Sequence, residues 1–450
     1  MADRFDAIVL GMGPGGEVVS GKLLAAGKKV AVVEKELIGG ECAYWACIPS
    51  KTLLRPPEAR SEASRVFGTG TPTLDLEEIF DYRDSMIRNL DDSAQVNSYQ
   101  EKGATVVKGE GSITGPGKVE VNGEILEAEH VVIATGSAAT IPPIEGLDGV
   151  HVWTNREATT LTEVPGRAVV VGGGPVGLET AQMLSRFGAR VTLVQHSERL
   201  INREDPKVGE LIREVLEEEG VDVRVGRRVE KARKNGDGAV VELDDGTGIE
   251  TDVIVLGAGR RPRVEGIGLE SVGVKPRKKG LPIDARCRLG GVPGLWAVGD
   301  VTGVMPFTHV AQYQGRVIVA NILGGSARAN YHGIPRVVFS DPEIAAAGLT
   351  EERAREQGMD VASVVLDLTR ALARPWTYEQ DPRGHLGLLA DREKKVLIGA
   401  WVVAPMAGEW IHQAATAIRE EIPIERLLDT VAQFPTYSGA YLEALERLDL

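Results

Sequence analysis

The sequence predicts an α/β fold in which one unit of strand, glycine turn, helix and strand occurs twice, and three observations carry that expectation. The first copy reads DAIVLGMGPGGEVVSGKLLAAGKKVAVVEK and the second RAVVVGGGPVGLETAQMLSRFGARVTLVQH, with 161 positions between their first glycines. In each, an apolar run of strand length precedes the glycines, and a helical stretch and a second apolar run follow. The 450-residue length exceeds what one hydrophobic core serves, so about two to four domains are expected. Hydrophobic residues at 43%, charged residues at 26% and 54 glycines describe a globular chain rich in tight turns.

In the first copy Gly11, Gly13 and Gly16 directly follow a strand and open a helix. A tight turn there lets backbone N–H groups meet a pyrophosphate at the helix N-terminus, the arrangement of a Rossmann-like domain. Glu34 comes 23 positions after Gly11, where a carboxylate accepts hydrogen bonds from a ribose diol; the competing reading is a glycine-rich turn with a solvated glutamate. Gly172, Gly174 and Gly177 hold the same places in the second copy, and Gln195 stands where Glu34 stands. Two such units imply two dinucleotides, a bound flavin and a diffusing nicotinamide. A carboxylate at the second ribose would repel a 2′-phosphate, and the neutral amide of Gln195 relaxes that choice. His196, Arg199 and Arg203 follow closely enough to meet a phosphate, which favours NADPH over NADH, with a solvated basic face as the alternative.

Charge and cysteine usage narrow the function. With 51 basic against 65 acidic residues the formal charge is -14, which opposes docking on nucleic acid or anionic lipid. No stretch approaches the ~18 apolar residues of a membrane span, and MADRFDAIVLG lacks the pattern of a secretory leader, so a cytoplasmic protein is expected. Three cysteines make no disulfide framework. Cys42 and Cys47 lie five positions apart in GGECAYWACIPSKTLL, a spacing that a regular helix sets well apart around its axis. Bridging them requires a broken helix, which Pro49 and the Gly39-Gly40 pair permit. A bridge closing so short a loop gains little from loop entropy, so its value would be chemical. A zinc half-site or two buried thiols are the competing readings, although no other Cys or His cluster has metal-ligand spacing. Cys287 reads as an ordinary buried thiol.

With the cysteine pair directly after the first unit, the chain resembles the class I pyridine nucleotide-disulfide oxidoreductases, the family of dihydrolipoamide dehydrogenase, glutathione reductase and mercuric reductase. Besides GMGPGG and GGECAYWACIPSK, the resemblance rests on VVIATGS with Thr135 and Gly136, VGGGPVGLE, GAGRRP with Gly259, VPGLWAVGDV and VVFSDPEIAAAGLT. It implies two Rossmann-like domains, for FAD and NAD(P), and a C-terminal α+β dimerisation domain. Residues 1–148 and 267–330 would form the FAD domain, 149–266 the NAD(P) domain and 331–450 the interface of a homodimer. Within the first part, DLEEIFDYRDSMIRNL is expected to be helical from the spacing of its apolar residues.

The same resemblance assigns roles. The FAD pyrophosphate would lie on the first glycine loop, its adenosine ribose at Glu34 and its ribityl chain at Asp300, with Thr135, Gly136 and Gly259 in cofactor-binding motifs. Lys51 and Glu179 would pair beside the isoalloxazine, the cation favouring the anionic reduced ring. Backbone N–H groups near His309, at a helix N-terminus, would help hold that charge. Cys47 would be the flavin-proximal sulfur and Cys42 the interchange sulfur of a redox-active disulfide. Hydride from NAD(P)H would pass to FAD, and the reduced flavin would open the bridge to two thiols that meet a small-molecule acceptor.

The chain departs from the family near its end. A His-Pro-Thr-x-x-Glu run ordinarily donates an acid-base dyad across the dimer to the interchange thiol; here the run is QFPTYSG, with Phe434 for the His and Gly439 for the Glu. Loss of that proton carrier costs roughly 10²- to 10⁴-fold in rate. An apolar Phe434 would also exclude water and protons, as in 2-ketopropyl coenzyme M oxidoreductase/carboxylase, which has Phe at the same place. That relative carries His where this chain has Gly439, so carboxylation does not follow. His412 is expected to serve packing. Tyr437, Ser438 and Tyr441 are the remaining hydroxyl donors, and a tyrosine pKa of about 10 suits a base poorly. The expectation is therefore an NAD(P)H oxidoreductase that reduces its acceptor through Cys42 and Cys47 without the dyad. Direct flavin transfer to a quinone, metal ion or dioxygen, and a non-enzymatic redox sensor, are the alternatives.

Overall fold

The strand runs of the first glycine unit are almost continuously apolar because both faces of their sheet are covered. The computed structural model describes residues 4–450 and resolves them into two compact units. The first comprises the chain up to Ser50, Asp81–Thr140 and Gly259–Asn330; the second comprises Lys51–Phe80, Ile141–Ala258 and Tyr331–Leu450.

In the first unit the strands run in the order Thr105–Lys108, Val30–Glu34, Arg4–Leu10, Glu124–Ile133, Lys118–Val121 and Gly111–Gly115. The first four pair in parallel, and the Lys118–Val121 hairpin closes the far edge antiparallel. Leu295–Ala297 returns from late in the chain to pair in parallel with Glu124–Ile133. Helices Pro14–Ala25 and Thr308–Ile322 pack closely, with Gly315 so near Val18 that a Cβ would stand 3.0 Å from its methyl group.

The second unit holds a parallel sheet in the order Asp222–Val225, Arg190–Gln195, Arg167–Val171, Val253–Leu256 and Val152–Trp153. It also holds an antiparallel five-stranded sheet, Pro335–Val338, Glu343–Gly348, Val396–Ala404, His385–Asp391 and Val361–Asp367, with buried residues of Ala407–Arg419 and Ala440–Leu445 in its core. This is the α/β architecture with a C-terminal α+β region that the sequence predicts. The predicted excursion is helical over Leu76–Met86 and then stops, because Arg88, Asn89 and Leu90 all take positive φ (56°, 50° and 58°).

Buried charge is paired in the second unit. Arg65 donates to both oxygens of Asp341 at 3.0 Å and also to Glu379, while Arg186 reaches Asp341 at 2.9 Å and Glu219 at 2.6 Å. Burial alone would raise the Asp341 carboxyl, but the two guanidinium groups hold it below the ordinary carboxylate range. Glu343 lacks such a cation. Burial is the main cause that pushes its carboxyl up to about 7; Gly408 N donates to Oε2 at 2.8 Å in opposition, and Glu58, Glu409 and Asp341 add repulsion.

A carboxyl raised in the fold favours the protonated form, so its contribution is fully present below the unfolded value of 4.5 and is lost as pH rises through about 7. Glu343→Gln keeps an acceptor for Gly408 and removes the charge. Thermal denaturation should therefore find the variant more stable than the parent by roughly 1–3 kcal/mol on the alkaline side of neutrality and equal to it in acid.

Candidate redox site

The two glycine loops repeat the same backbone contacts. Gly11 N donates to Val33 O and Gly172 N to Val194 O, each at 2.8 Å. A Cβ at Gly16 would stand 2.1 Å from Gly11 O, and one at Gly177 would stand 1.8 Å from Gly172 O, so any side chain there would collide with backbone. Gly13 and Gly174, the residues before each helix, have nothing within 4 Å of that position. The loop thus closes tightly on its inner side and stays open on the side where a pyrophosphate approaches the helix N-terminus, so its residues fit a dinucleotide.

Glu34 is buried and accepts from Met12 N at 2.7 Å and Glu36 N at 2.8 Å. Gln195, also buried, repeats the first of these contacts by accepting from Gly173 N at 3.1 Å. Of the basic residues after it, His196 and Arg203 are exposed, while Arg199 is half-buried and lies 3.8 Å from Glu352.

The cysteines occupy two helices. Cys42 lies in Gly40–Tyr44, the chain leaves helical geometry at Trp45 (φ -137°, ψ 2°), and Cys47 opens Cys47–Arg65. Gly39 (φ 123°) and Gly40 (φ 60°) turn the chain into the first helix. This is the break that the spacing requires, and it brings the sulfurs together. Thr308, the first residue of its helix, donates to Cys42 Sγ at 3.2 Å and lies 3.4 Å from Cys47 Sγ. Both sulfurs are thiols in this structure. A hydrogen bond with Cys47, then burial, pushes the Cys42 thiol well up, and the Thr308 hydroxyl opposes the rise. The rise keeps the proton on Cys42, where its hydrogen bond with Cys47 favours the thiol form. Cys287 is fully buried in the core, as its surroundings in the sequence suggest.

Lys51 follows one turn after Cys47 in the same helix. Its Nζ lies 2.8 Å from Glu179 Oε2 and 4.7 Å from the centre of the Phe339 ring. Phe339 N donates to Glu179 Oε1 at 2.9 Å, so the carboxylate and the ring together fix the ammonium group. Phe307 precedes Thr308–Ile322 without a side-chain cap, and His309 stacks on its ring at 5.3 Å. The helix thus offers N–H groups, rather than the imidazole, as its cationic end.

Asp300 sits in a network that the sequence alone does not reveal. Ser137 Oγ donates to Asp300 Oδ2 at 2.5 Å, Arg260 Nε donates to Ser137 Oγ at 2.7 Å, and Arg260 and Arg263 pair with Glu41 at 3.3 and 3.2 Å. Glu41 is the neighbour of Cys42. Thr135 Oγ1 donates to Arg263 O at 2.7 Å, Arg263 N donates to Gly136 O at 3.0 Å, and Gly259 O accepts from Thr140 N at 2.9 Å. These contacts bring the motifs carrying Thr135, Gly136 and Gly259 together.

The C-terminal run supplies no replacement base. Tyr437 is buried and stacked on Trp410, and Tyr441 donates to Trp410 O at 3.1 Å; burial pushes both phenols above their ordinary value. Ser438 shares its hydroxyl with Thr436 at 3.2 Å. Phe434 is 86% exposed and Val431 98%, so neither packs against its own chain. His412 lies on the exposed face of Ala407–Arg419.

Residues 5–315 match the family model described as pyridine nucleotide-disulphide oxidoreductase, and residues 334–445 match the dimerisation domain of the same family. The chain belongs to the pyridine nucleotide-disulphide oxidoreductases. Dihydrolipoyl dehydrogenase of Thermus scotoductus is 35% identical over 99% of this chain and 97% of its own length. Mercuric reductase of Staphylococcus aureus is 33% identical over 98% of this chain and 82% of its own. The Cu(II) complex of RclA, an HOCl-induced flavoprotein disulfide reductase from Escherichia coli, is 25% identical, with a TM-score of 0.87 over 98% of this chain and 99% of that one. Membership makes this oxidoreductase a flavoprotein of a family that uses FAD and NAD(P)H, and its dimerisation domain supports a homodimer. Among the described residues no helix is long and apolar enough to cross a membrane.

The Thr308 hydroxyl stabilises charge on the sulfurs of this oxidoreductase, and a hydrogen bond to a charged group is worth about 1.5–3 kcal/mol. Thr308→Val should move the dithiol titration upward by roughly one pH unit, read from the ultraviolet thiolate absorbance of the reduced protein.

Proposed function

We propose that this protein is a FAD-dependent NAD(P)H oxidoreductase that delivers electrons through Cys42 and Cys47 to an acceptor whose reduction needs no His-Glu dyad. The observation that carries this reading is the meeting of two sulfurs from separate helices at one Thr308 hydroxyl. A fold that only buried two thiols has no use for the break at Trp45 or for the shared donor. FAD, when bound, supplies two-electron chemistry between the nicotinamide and the sulfur pair.

The chain's own residues have separable tasks in this reading. Gly11, Gly13 and Gly16 admit the FAD pyrophosphate, Glu34 anchors a ribose, and Ser137 and Arg260 hold Asp300 for the ribityl chain, beside Thr135, Gly136 and Gly259. Lys51, fixed by Glu179 and Phe339, places a cation where the reduced ring is anionic, and the helix end at Thr308 and His309 adds partial positive charge. Gly172, Gly174 and Gly177 receive the second dinucleotide. With neutral Gln195 closed on its loop and His196 and Arg203 exposed, a 2′-phosphate meets no carboxylate at position 195, which supports NADPH. On this assignment residues 1–148 and 267–330 serve FAD, 149–266 serve NADPH and 331–450 serve the dimer interface. A thiol pair of this kind suits the reducing cytoplasm.

The acceptor class follows from what is missing. Phe434, presented from a partner subunit, excludes water where the family ordinarily supplies a proton. An acceptor that requires no proton at its leaving atom suits such a site, and a soft metal ion taken between two thiolates is one. Similarity to mercuric reductase over 98% of the chain supports that class.

Two variants test the reading. Cys42→Ser should still transfer reducing equivalents from NADPH to FAD but lose acceptor turnover; retained turnover would mean direct transfer from the flavin. Phe434→His combined with Gly439→Glu should raise turnover of a small disulfide such as lipoamide by roughly tenfold or more in a steady-state assay.

A further inference from the structure

The Cys42 sulfur gives up a proton whenever it attacks an acceptor, and the C-terminal run offers nothing to take it. Its sequence neighbour Glu41 is taken up by Arg260 and Arg263, and a second carboxylate of the same unit, Glu17, is free of such partners among the described residues. Glu17 lies in the first turn of Pro14–Ala25, its N–H donating to Gly13 O at 2.9 Å. Gly40, two residues before Cys42, approaches Gly13 so closely that a Cβ would stand 2.9 Å from Gly13 Cα, and Gly39 N donates to Met12 O at 2.8 Å. Glu17 and Cys42 are thus each within about one turn of a shared backbone contact. The Glu17 charge raises the Cys42 thiol, as the smallest of the causes that act on it, and also reaches Tyr44 and Tyr99.

We propose that Glu17 is the proton acceptor for the Cys42 thiol, performing from within the chain the task that the missing dyad performs across the dimer. The inference rests on the dithiol reading above. As the Cys42 sulfur bonds to one sulfur of a disulfide acceptor, its S–H proton passes to the Glu17 carboxylate, directly or through a water. The acceptor's S–S bond breaks, and its electron pair leaves on the second sulfur as a thiolate. The proton stays on Glu17, so the net change is Cys42–SH plus RSSR plus the Glu17 carboxylate giving Cys42–S–SR plus RS⁻ plus the Glu17 carboxylic acid, and the leaving sulfur takes no proton. With a metal ion the proton goes to solvent instead.

The surroundings suit this task. Among the described residues the Glu17 side chain makes no hydrogen bond or ion pair, so nothing competes for its oxygens. Burial raises its carboxyl above the ordinary value, with Arg88 and Lys102 opposing the rise, and a base nearer neutrality exchanges protons with a thiol at lower cost. Tyr44 and Tyr99, the other titratable groups facing it, are phenols that burial raises, and Asp92 acts at one remove through Tyr44. A carboxylate beside a thiolate is repelled by it, so the pair favours keeping one proton between them.

The test uses the reduced holoenzyme mixed with dithiodipyridine, a neutral disulfide, with thiopyridone release followed in a single turnover across the acid to neutral range. In the parent, the fast phase should slow as pH falls through the titration of Glu17. Glu17→Gln should release thiopyridone roughly 10²-fold more slowly near neutrality and lose that acid limb, and Glu17→Asp should recover part of both. Flavin content and thermal midpoint check the fold of each variant. An unchanged rate and pH profile in Glu17→Gln, with the fast phase absent from Cys42→Ser, would overturn the role of Glu17 alone. A fast phase retained in Cys42→Ser would overturn the dithiol reading beneath it.

Discussion

The contact on which the site depends is backbone against backbone. Gly40 lies against Gly13, and Gly39 N donates to Met12 O, so the helix bearing Cys42 is fastened to the glycine loop that fits a pyrophosphate. No side chain fits between them. The geometry that opens the loop is therefore the same geometry that places the helix of Cys42, the proposed interchange sulfur, beside the helix turn that carries Glu17. A side chain at Gly40 would collide with Gly13 and displace both the loop and the helix that carries Cys42, so on the proposed reading cofactor binding and thiol chemistry are coupled locally.

Charge is handled differently in the two units. In the second, Arg65 and Arg186 neutralise Asp341, and Lys51 is held between Glu179 and an aromatic ring, so cations and anions are matched in fixed geometry. In the first, the Cys42 thiol and the Glu17 carboxyl are pushed up by their surroundings rather than matched by a fixed counter-charge. Matched pairs give rigidity. Groups whose charge is left unmatched give reactivity, because a proton added or removed at one is felt at the next.

Much of this was legible in the sequence where local sterics decide. The glycine loops follow from spacing, since positions 11, 16, 172 and 177 admit no side chain, and the helix break follows from a five-residue interval before Ile-Pro. The departure at Phe434 and Gly439, on which the proposed absence of a dyad rests, is visible in the sequence alone. What escaped was set by tertiary approach. Thr308 is 261 positions from Cys47, and Arg260 lies far along the chain from Glu41, so no local pattern announces either contact. Glu17 carried a signal of a weaker kind, an acid directly after the glycine fingerprint. The helix dipole offered an ordinary reason for an acid there. The apolar rhythm of residues 76–90 overstated a helix because it does not register the left-handed backbone at Arg88 to Leu90.

The measurement that reaches the central claim is an anaerobic titration of the oxidised holoenzyme with NADPH and, separately, with NADH, followed by its visible spectrum and by thiol counting. The account predicts uptake of two electron pairs in sequence: the first yields two new thiols at Cys42 and Cys47 with a long-wavelength thiolate-to-flavin band, and the second reduces the flavin and removes the band. Uptake of a single pair, with no such band and no new thiols, would contradict it.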